Sequence, residues 1–182
     1  DIIYKVNNYW QEQNPKHGRS FWDNAAYHTG NMEAFFLTGD SKFMDYSKAW
    51  AEHNEWKGAK SDNKAEWKYS YGESDDYVLF GDYQTCFQTY ADLYNLKPDS
   101  QKIARAREVM EYQMSTDKND YWWWADGLYM VMPVMTKLYK ITGNPLYLEK
   151  LHEYWVFADS LMYDPEDALY YRDGKYIYPK HK

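Results

Sequence analysis

Leu138-Tyr139-Lys140-Ile141-Thr142-Gly143-Asn144 closes one apolar, aromatic run with a glycine and opens another, in which Tyr147, Leu148, Leu151 and Trp155 follow. Residues at three- and four-residue spacing share one face of a helix, and a glycine just past a helix end supplies the left-handed cap that lets the chain reverse. The stretch therefore reads as helix, turn, helix. Working outward, Ala34-Phe35-Phe36-Leu37-Thr38-Gly39-Asp40 repeats the plan and leads into Phe43, Tyr46 and Trp50. A middle copy, Ala91-Asp92-Leu93-Tyr94-Asn95-Leu96-Lys97-Pro98-Asp99, leads into Ile103, Ala106, Val109 and Met110. The period is about fifty residues, and a helix pair of that size cannot bury its apolar face alone, so pairs must stack. The fold class expected is all-α, an array of helical hairpins forming one domain over residues 1–182.

Two segments break the pattern. Leu169-Tyr170-Tyr171-Arg172-Asp173-Gly174-Lys175-Tyr176-Ile177-Tyr178 sets Asp-Gly between two aromatic runs, which predicts a short β-hairpin near the C-terminus. Residues 57–77, rich in Lys, Ser, Gly, Asn and Asp, read as a long loop whose Trp67, Tyr69 and Tyr71 either reach a ligand or pack on the surface.

Composition narrows the function. Aromatic residues make up 20% of the chain, with 21 Tyr and 9 Trp, which calls for a large core or a stacking surface. Mean hydropathy is only −0.91, because Tyr and Trp carry polar tips that can line a wet groove. A net charge of −7 argues against nucleic acid as a partner, and no apolar run reaches the length of a membrane span. There is neither an initiating Met nor a signal-peptide pattern, which leaves the compartment undecided. The single cysteine, Cys86, rules out an internal disulfide and lies in a helical pattern that predicts a buried, inert thiol. The five histidines show no metal-ligand spacing, and no Gly-x-Ser-x-Gly or Gly-rich phosphate loop occurs, so no metal and no cofactor are expected. Lys102, Arg105, Arg107, Lys137 and Lys140 read as solvated helix faces.

The chemistry concentrates in Trp122-Trp123-Trp124-Ala125-Asp126-Gly127-Leu128-Tyr129-Met130, where one carboxylate follows three indoles at a helix start. Aromatic surface displaces the water that would solvate a charged acid, and indole faces stack on sugar rings. Phe80-Gly81-Asp82-Tyr83-Gln84-Thr85 opens the preceding hairpin in the same way, and Trp22 stands at the corresponding start in the first. Equivalent positions of stacked repeats lie side by side, so Asp82 and Asp126 are expected to face one cavity. Two readings stand together: a pair of acids with separated pKa values, or two carboxylates that merely cap their helices. His28 either contacts a ligand or packs in the core.

The signature Trp124-Ala125-Asp126-Gly127-Leu128-Tyr129-Met130-x-x-Pro133, followed by Leu138-Tyr139-x-x-Thr142-Gly143-x-x-x-Tyr147, resembles glycoside hydrolase families 88 and 105, the unsaturated glucuronyl and rhamnogalacturonyl hydrolases, family 105 being the closer form. Asp82-Tyr83-Gln84 with Tyr90-x-Asp92-Leu93-Tyr94 resembles their upstream aspartate helix. The resemblance implies an (α/α)6 toroid, of which this chain supplies about half, so that the domain is incomplete at its C-terminal side. It also implies an oligosaccharide partner and vinyl-ether hydration without a cofactor. Asp126 is then the proton donor, Asp82 holds ring hydroxyls and keeps Asp126 protonated by its charge, and Trp22, Trp124, Tyr83, His28 and Arg172 are substrate-binding residues. Gly81 stands where family 88 members carry His, and Arg172 stands near a ligand-contacting His of some relatives. The competing readings are a lyase or inverting glycosidase on the same kind of toroid, and a non-catalytic carbohydrate-binding module.

Overall fold

The computed structural model describes residues 1–177 and leaves Tyr178, Pro179, Lys180, His181 and Lys182 outside the description. Helix α1 spans Ile2–Gln13, α2 Trp22–Thr38, α3 Ser41–His53, α4 Gly81–Gln84, α5 Cys86–Leu96, α6 Gln101–Met114, α7 Asp126–Thr142 and α8 Leu146–Met162. The predicted hairpins are α2 with α3, α5 with α6, and α7 with α8. Helix α5 packs against both α2 and α7, while α3, α6 and α8 each back their own partner. Thus α2, α5 and α7 form an inner row and α3, α6 and α8 an outer one.

The two Thr-Gly turns are built alike. Gly39 and Gly143 take φ of 72° and 71° and donate their N–H groups to Phe35 and Tyr139 at 2.8 Å. Thr38 and Thr142 hydroxyls donate back to the Ala34 and Leu138 carbonyls, and the Asp40 and Asn144 N–H groups, two residues on, donate to those hydroxyls in turn. A side chain with a Cβ is strained at such φ, so the glycine defines the reversal. The middle hairpin lacks it. There the Lys102 ammonium donates to the carbonyls of Leu93 and Lys97 at 3.1 and 2.7 Å, satisfying the end of α5 from the neighbouring helix.

Pro133 lies inside α7 and deprives the Tyr129 carbonyl of its usual donor. The Gln88 amide of α5 replaces it, donating to Tyr129 and Met130 carbonyls at 2.9 Å each. One side chain thereby repairs the helix and ties α5 to α7.

Three expectations are corrected. Lys102 and Arg105 are buried, not solvated: the Arg105 guanidinium donates to the Ala59 and Ser61 carbonyls, pairs with Asp62 and Glu108 at 3.2 and 2.7 Å, and lies over Trp67. It pins the 57–77 loop onto α6, a contact that helix periodicity cannot show. Lys137 is likewise drawn inward, to Asp92 at 2.6 Å. The short hairpin near the C-terminus is present, with β1 Tyr163–Asp164 antiparallel to β2 Leu169–Tyr170, but its turn is not Asp173-Gly174. Asp164 accepts from the Glu166 and Asp167 N–H groups and closes a turn over residues 165–168, ahead of the Asp173-Gly174 turn that the sequence suggests. Asp173 instead bridges to Trp124, and the far arm of the expected hairpin, at Tyr178, falls outside the described residues.

The core is aromatic. Trp50, Trp122, Tyr90, Tyr121, Tyr147 and Tyr154 are fully buried, and the Cys86 thiol is buried with its pKa pushed up by burial. No helix of the described residues is long and apolar enough to cross a membrane.

Candidate active site

The starts of the three inner rods converge. Trp22 opens α2, Asp82 lies in the first turn of α4, and Asp126 opens α7; all three line one hollow of about 470 Å3 together with Trp124, Tyr71 and Arg172. Its remaining lining follows from helical spacing: Ala26 is four residues after Trp22, Thr85 three after Asp82, and Tyr129 three after Asp126. Helix α4 runs on through Thr85, which keeps helical dihedrals, so the residues from Asp82 onward stand on one nearly continuous rod.

Neither carboxylate caps its helix. Phe80 and Ala125 occupy the cap positions, neither helix has a side-chain capping bond, and no hydrogen bond from a described residue reaches Asp82 or Asp126. Of the two readings of these acids, the cap is thus the one the geometry does not favour. Burial also falls on the other acid than the sequence suggests. Asp82 is 5% exposed, and its pKa is pushed up to about 7, first by burial and then by the charges of Asp126, Glu73 and Asp23. Asp126 is exposed at the mouth. The group that binds a proton near neutrality is therefore Asp82, with Asp126 as a source of the field upon it.

The three consecutive indoles divide. Trp122 turns into the core against Tyr154, while Trp123 and Trp124 face the hollow. Trp124 is wedged against backbone. A Cβ at Gly81 would lie 2.9 Å from its Cη2 and 3.2 Å from Val131 Cγ2, and one at Gly127 would stand 3.4 Å from the same ring. The Phe80 ring also packs on it, tilted, with centroids 4.9 Å apart, and the Ala125 N–H donates to the Arg172 carbonyl at 2.8 Å. Gly81 thus gives Trp124 its seat.

Not every expected residue reaches the site. Tyr83 points away from the hollow: its ring packs edge-on against Phe21 and its hydroxyl donates to the Glu73 carbonyl. His28 is buried between α2 and α3, stacked on Trp50 at 4.0 Å with Nδ1 3.0 Å from Ser47 Oγ. Burial, with the charge of His17, pushes its pKa down to about 3 and leaves it neutral. Arg172 does reach the rim, where it pairs with Asp173 at 3.2 Å and lies over Tyr176. Trp123, Phe80, Tyr129 and Met130 join the lining without having been singled out as site residues; their helical offset from Asp82 and Asp126, or adjacency to Trp124, was the available signal.

The sequence profile of Glycosyl Hydrolase Family 88 matches residues 2–182. Over 180 residues the chain is 29% identical to an unsaturated 3S-rhamnoglycuronyl hydrolase of Formosa agariphila, covering 93% of this chain and 45% of that protein. A solved structure described as a glycosyl hydrolase family 88 protein from Bacteroides vulgatus superposes with a TM-score of 0.98 at 66% identity, over all of this chain and 52% of that one. Another, described as a polysaccharide lyase, superposes with a TM-score of 0.99 at 81% identity, over all of this chain and 51% of that one. The chain thus spans about half the length of the relatives it matches.

Proposed function

The chain belongs to glycosyl hydrolase family 88, and on that premise we propose that it carries the acid pair of an enzyme that removes a 4,5-unsaturated uronyl unit from the non-reducing end of an oligosaccharide. The observation that carries this reading is the convergence of Asp82 and Asp126, uncapped and unpaired, on one tryptophan-walled hollow. With the sugar bound, the Asp126 carboxyl delivers a proton, taken up from solvent with the substrate, to C4 of the vinyl ether, leaving positive charge shared by C5 and the ring oxygen. Water adds at C5 and returns a proton to the same carboxylate. The hemiketal opens by breaking the bond between C5 and the ring oxygen, and the resulting hemiacetal at C1 releases the next sugar. Asp82, protonated below about pH 7, donates a hydrogen bond to a ring hydroxyl in that form. Trp22, 44% exposed, and Trp124 stack on the sugar faces.

The relatives are roughly twice as long, and an apolar groove between α1 and α2, lined by Ile2, Val6, Ala34 and Leu37, lies open. Both facts support reading the chain as part of a larger ring of hairpins, with the reaction belonging to the whole. The description of one relative as a polysaccharide lyase favours a second reading, bond cleavage by elimination.

Turnover of a lyase-generated unsaturated oligosaccharide in D2O by the full-length protein separates them. Hydration consumes the ultraviolet absorbance of the double bond and leaves one deuterium at C4 of the released unit. An elimination raises that absorbance, and an ordinary glycosidase releases a sugar that keeps it. Either of the last two results would overturn the proposal.

A further inference from the structure

Beside the hollow runs a second groove, of about 720 Å3, lined by Lys68, Tyr69, Ser70, Tyr71, Trp123 and Lys175 among others. Tyr71 and Trp123 line both cavities, so a chain leaving the hollow on this side passes across two aromatic faces. The faces are presented differently. Trp123 is held in place, its Nε1–H donating to the Tyr69 carbonyl at 3.1 Å and its ring parallel to Phe80, whereas Tyr71 is 68% exposed. An indole fixed before binding loses little rotamer freedom when a sugar stacks on it.

The two cavities also differ in charge. The hollow holds Asp82 and Asp126, while the groove is lined by two lysines and no carboxylate. Around it, Asp76 is committed to Lys68, and Asp120 accepts from the Tyr69 hydroxyl, to which Lys118 also donates. The Lys175 ammonium has no acidic partner among the described residues. An uncommitted cation next to stacking aromatics suits a sugar unit that carries a negative group.

We propose that this groove is a second saccharide subsite, holding an anionic unit in the leaving part of the oligosaccharide whose terminal unit occupies the hollow. The proposal rests on the function argued above and adds where the rest of the substrate lies and what charge it bears. A carboxylate and a sulfate ester share the chemistry that Lys175 reads.

The test uses the full-length protein, with Lys175→Ala and a groove-filling Ser70→Trp, on unsaturated substrates of two kinds: a disaccharide with a neutral leaving sugar, and longer oligosaccharides with anionic leaving parts. With the disaccharide, both variants are expected to stay within about twofold of wild type. With the longer substrates, Lys175→Ala raises KM roughly threefold to fivefold, the size of one accessible ion pair, and the effect fades as salt is added. Ser70→Trp raises it by on the order of tenfold, through steric exclusion. Carboxyl-reduced and desulfated versions of the longer substrates tell which anion Lys175 reads. Equal losses on short and long substrates, or no loss on the long ones, would overturn the subsite. Should the wild type turn over no unsaturated saccharide at all, the function fails separately, and calorimetric titration with the same anionic oligosaccharides decides the subsite by whether Lys175→Ala weakens binding by the same factor.

Discussion

Asp82 is buried in the first turn of α4 and Asp126 is exposed at the start of α7, and the charge of the second helps lift the first to about pH 7. Replacing Asp126 by Asn removes that charge while burial, the larger cause, remains. The Asp82 carboxyl is then expected to titrate below about 7 but still above an ordinary aspartate, as read by carboxyl NMR.

Stability carries the same signature. The folded pKa of Asp82 lies above its unfolded value, so folding favours the protonated form. The unfolded chain ionises this group first as pH rises from about 4, and stability attributable to it is lost progressively up to about 7 and levels off above. Asp82→Asn removes that dependence. Thermal melts at pH 8 are expected to show the variant gaining on the wild type relative to melts at pH 4; parallel melting curves at both would contradict the burial argument.

Gln88 offers a coupling test. Gln88→Met keeps the volume but leaves the Tyr129 carbonyl without its replacement donor and takes a side-chain donor from Met130, at a cost of about 1–3 kcal/mol. Pro133→Ala restores an N–H in α7, and in that background the cost of Gln88→Met is expected to shrink. Denaturant titration of the four proteins measures the interaction.

Gly81→Ala places a methyl 2.9 Å from the Trp124 ring, which also packs against Phe80, and 3.2 Å from Val131. The indole must shift, at about 1–3 kcal/mol of stability. Since Trp124 walls the hollow, the variant is expected to lose activity more steeply than stability, with an altered tryptophan fluorescence spectrum.

Much of this was readable in the chain because the signals are local. Thr38-Gly39-Asp40 and Thr142-Gly143-Asn144 carry their caps within a few residues, and the repeat placed Trp22, Asp82 and Asp126 at matching helix starts. What failed was direction and distance. Tyr83 neighbours Asp82 in sequence, but one residue along a helix is a turn of about 100°, which points it toward Phe21 instead. His28 lies on the face of α2 that packs on α3. Arg105 and Lys102 were drawn inward by segments far away or beyond their own helix, and the exchange of burial between Asp82 and Asp126 depends on how three helix ends meet in space. None of these has a mark in spacing or composition.

The claim on which the account rests is that Asp82 and Asp126 act together on an unsaturated sugar, with Asp126 moving the proton. Its most direct measurement is the loss of double-bond absorbance from an unsaturated oligosaccharide by the full-length wild type, Asp82→Asn and Asp126→Asn proteins across pH. The wild type is expected to lose activity as pH rises through about 7, Asp82→Asn to keep a fraction of the rate without that limb, and Asp126→Asn to lose several orders of magnitude with substrate binding nearly intact. An Asp126→Asn protein that turns over at the wild-type rate would contradict it.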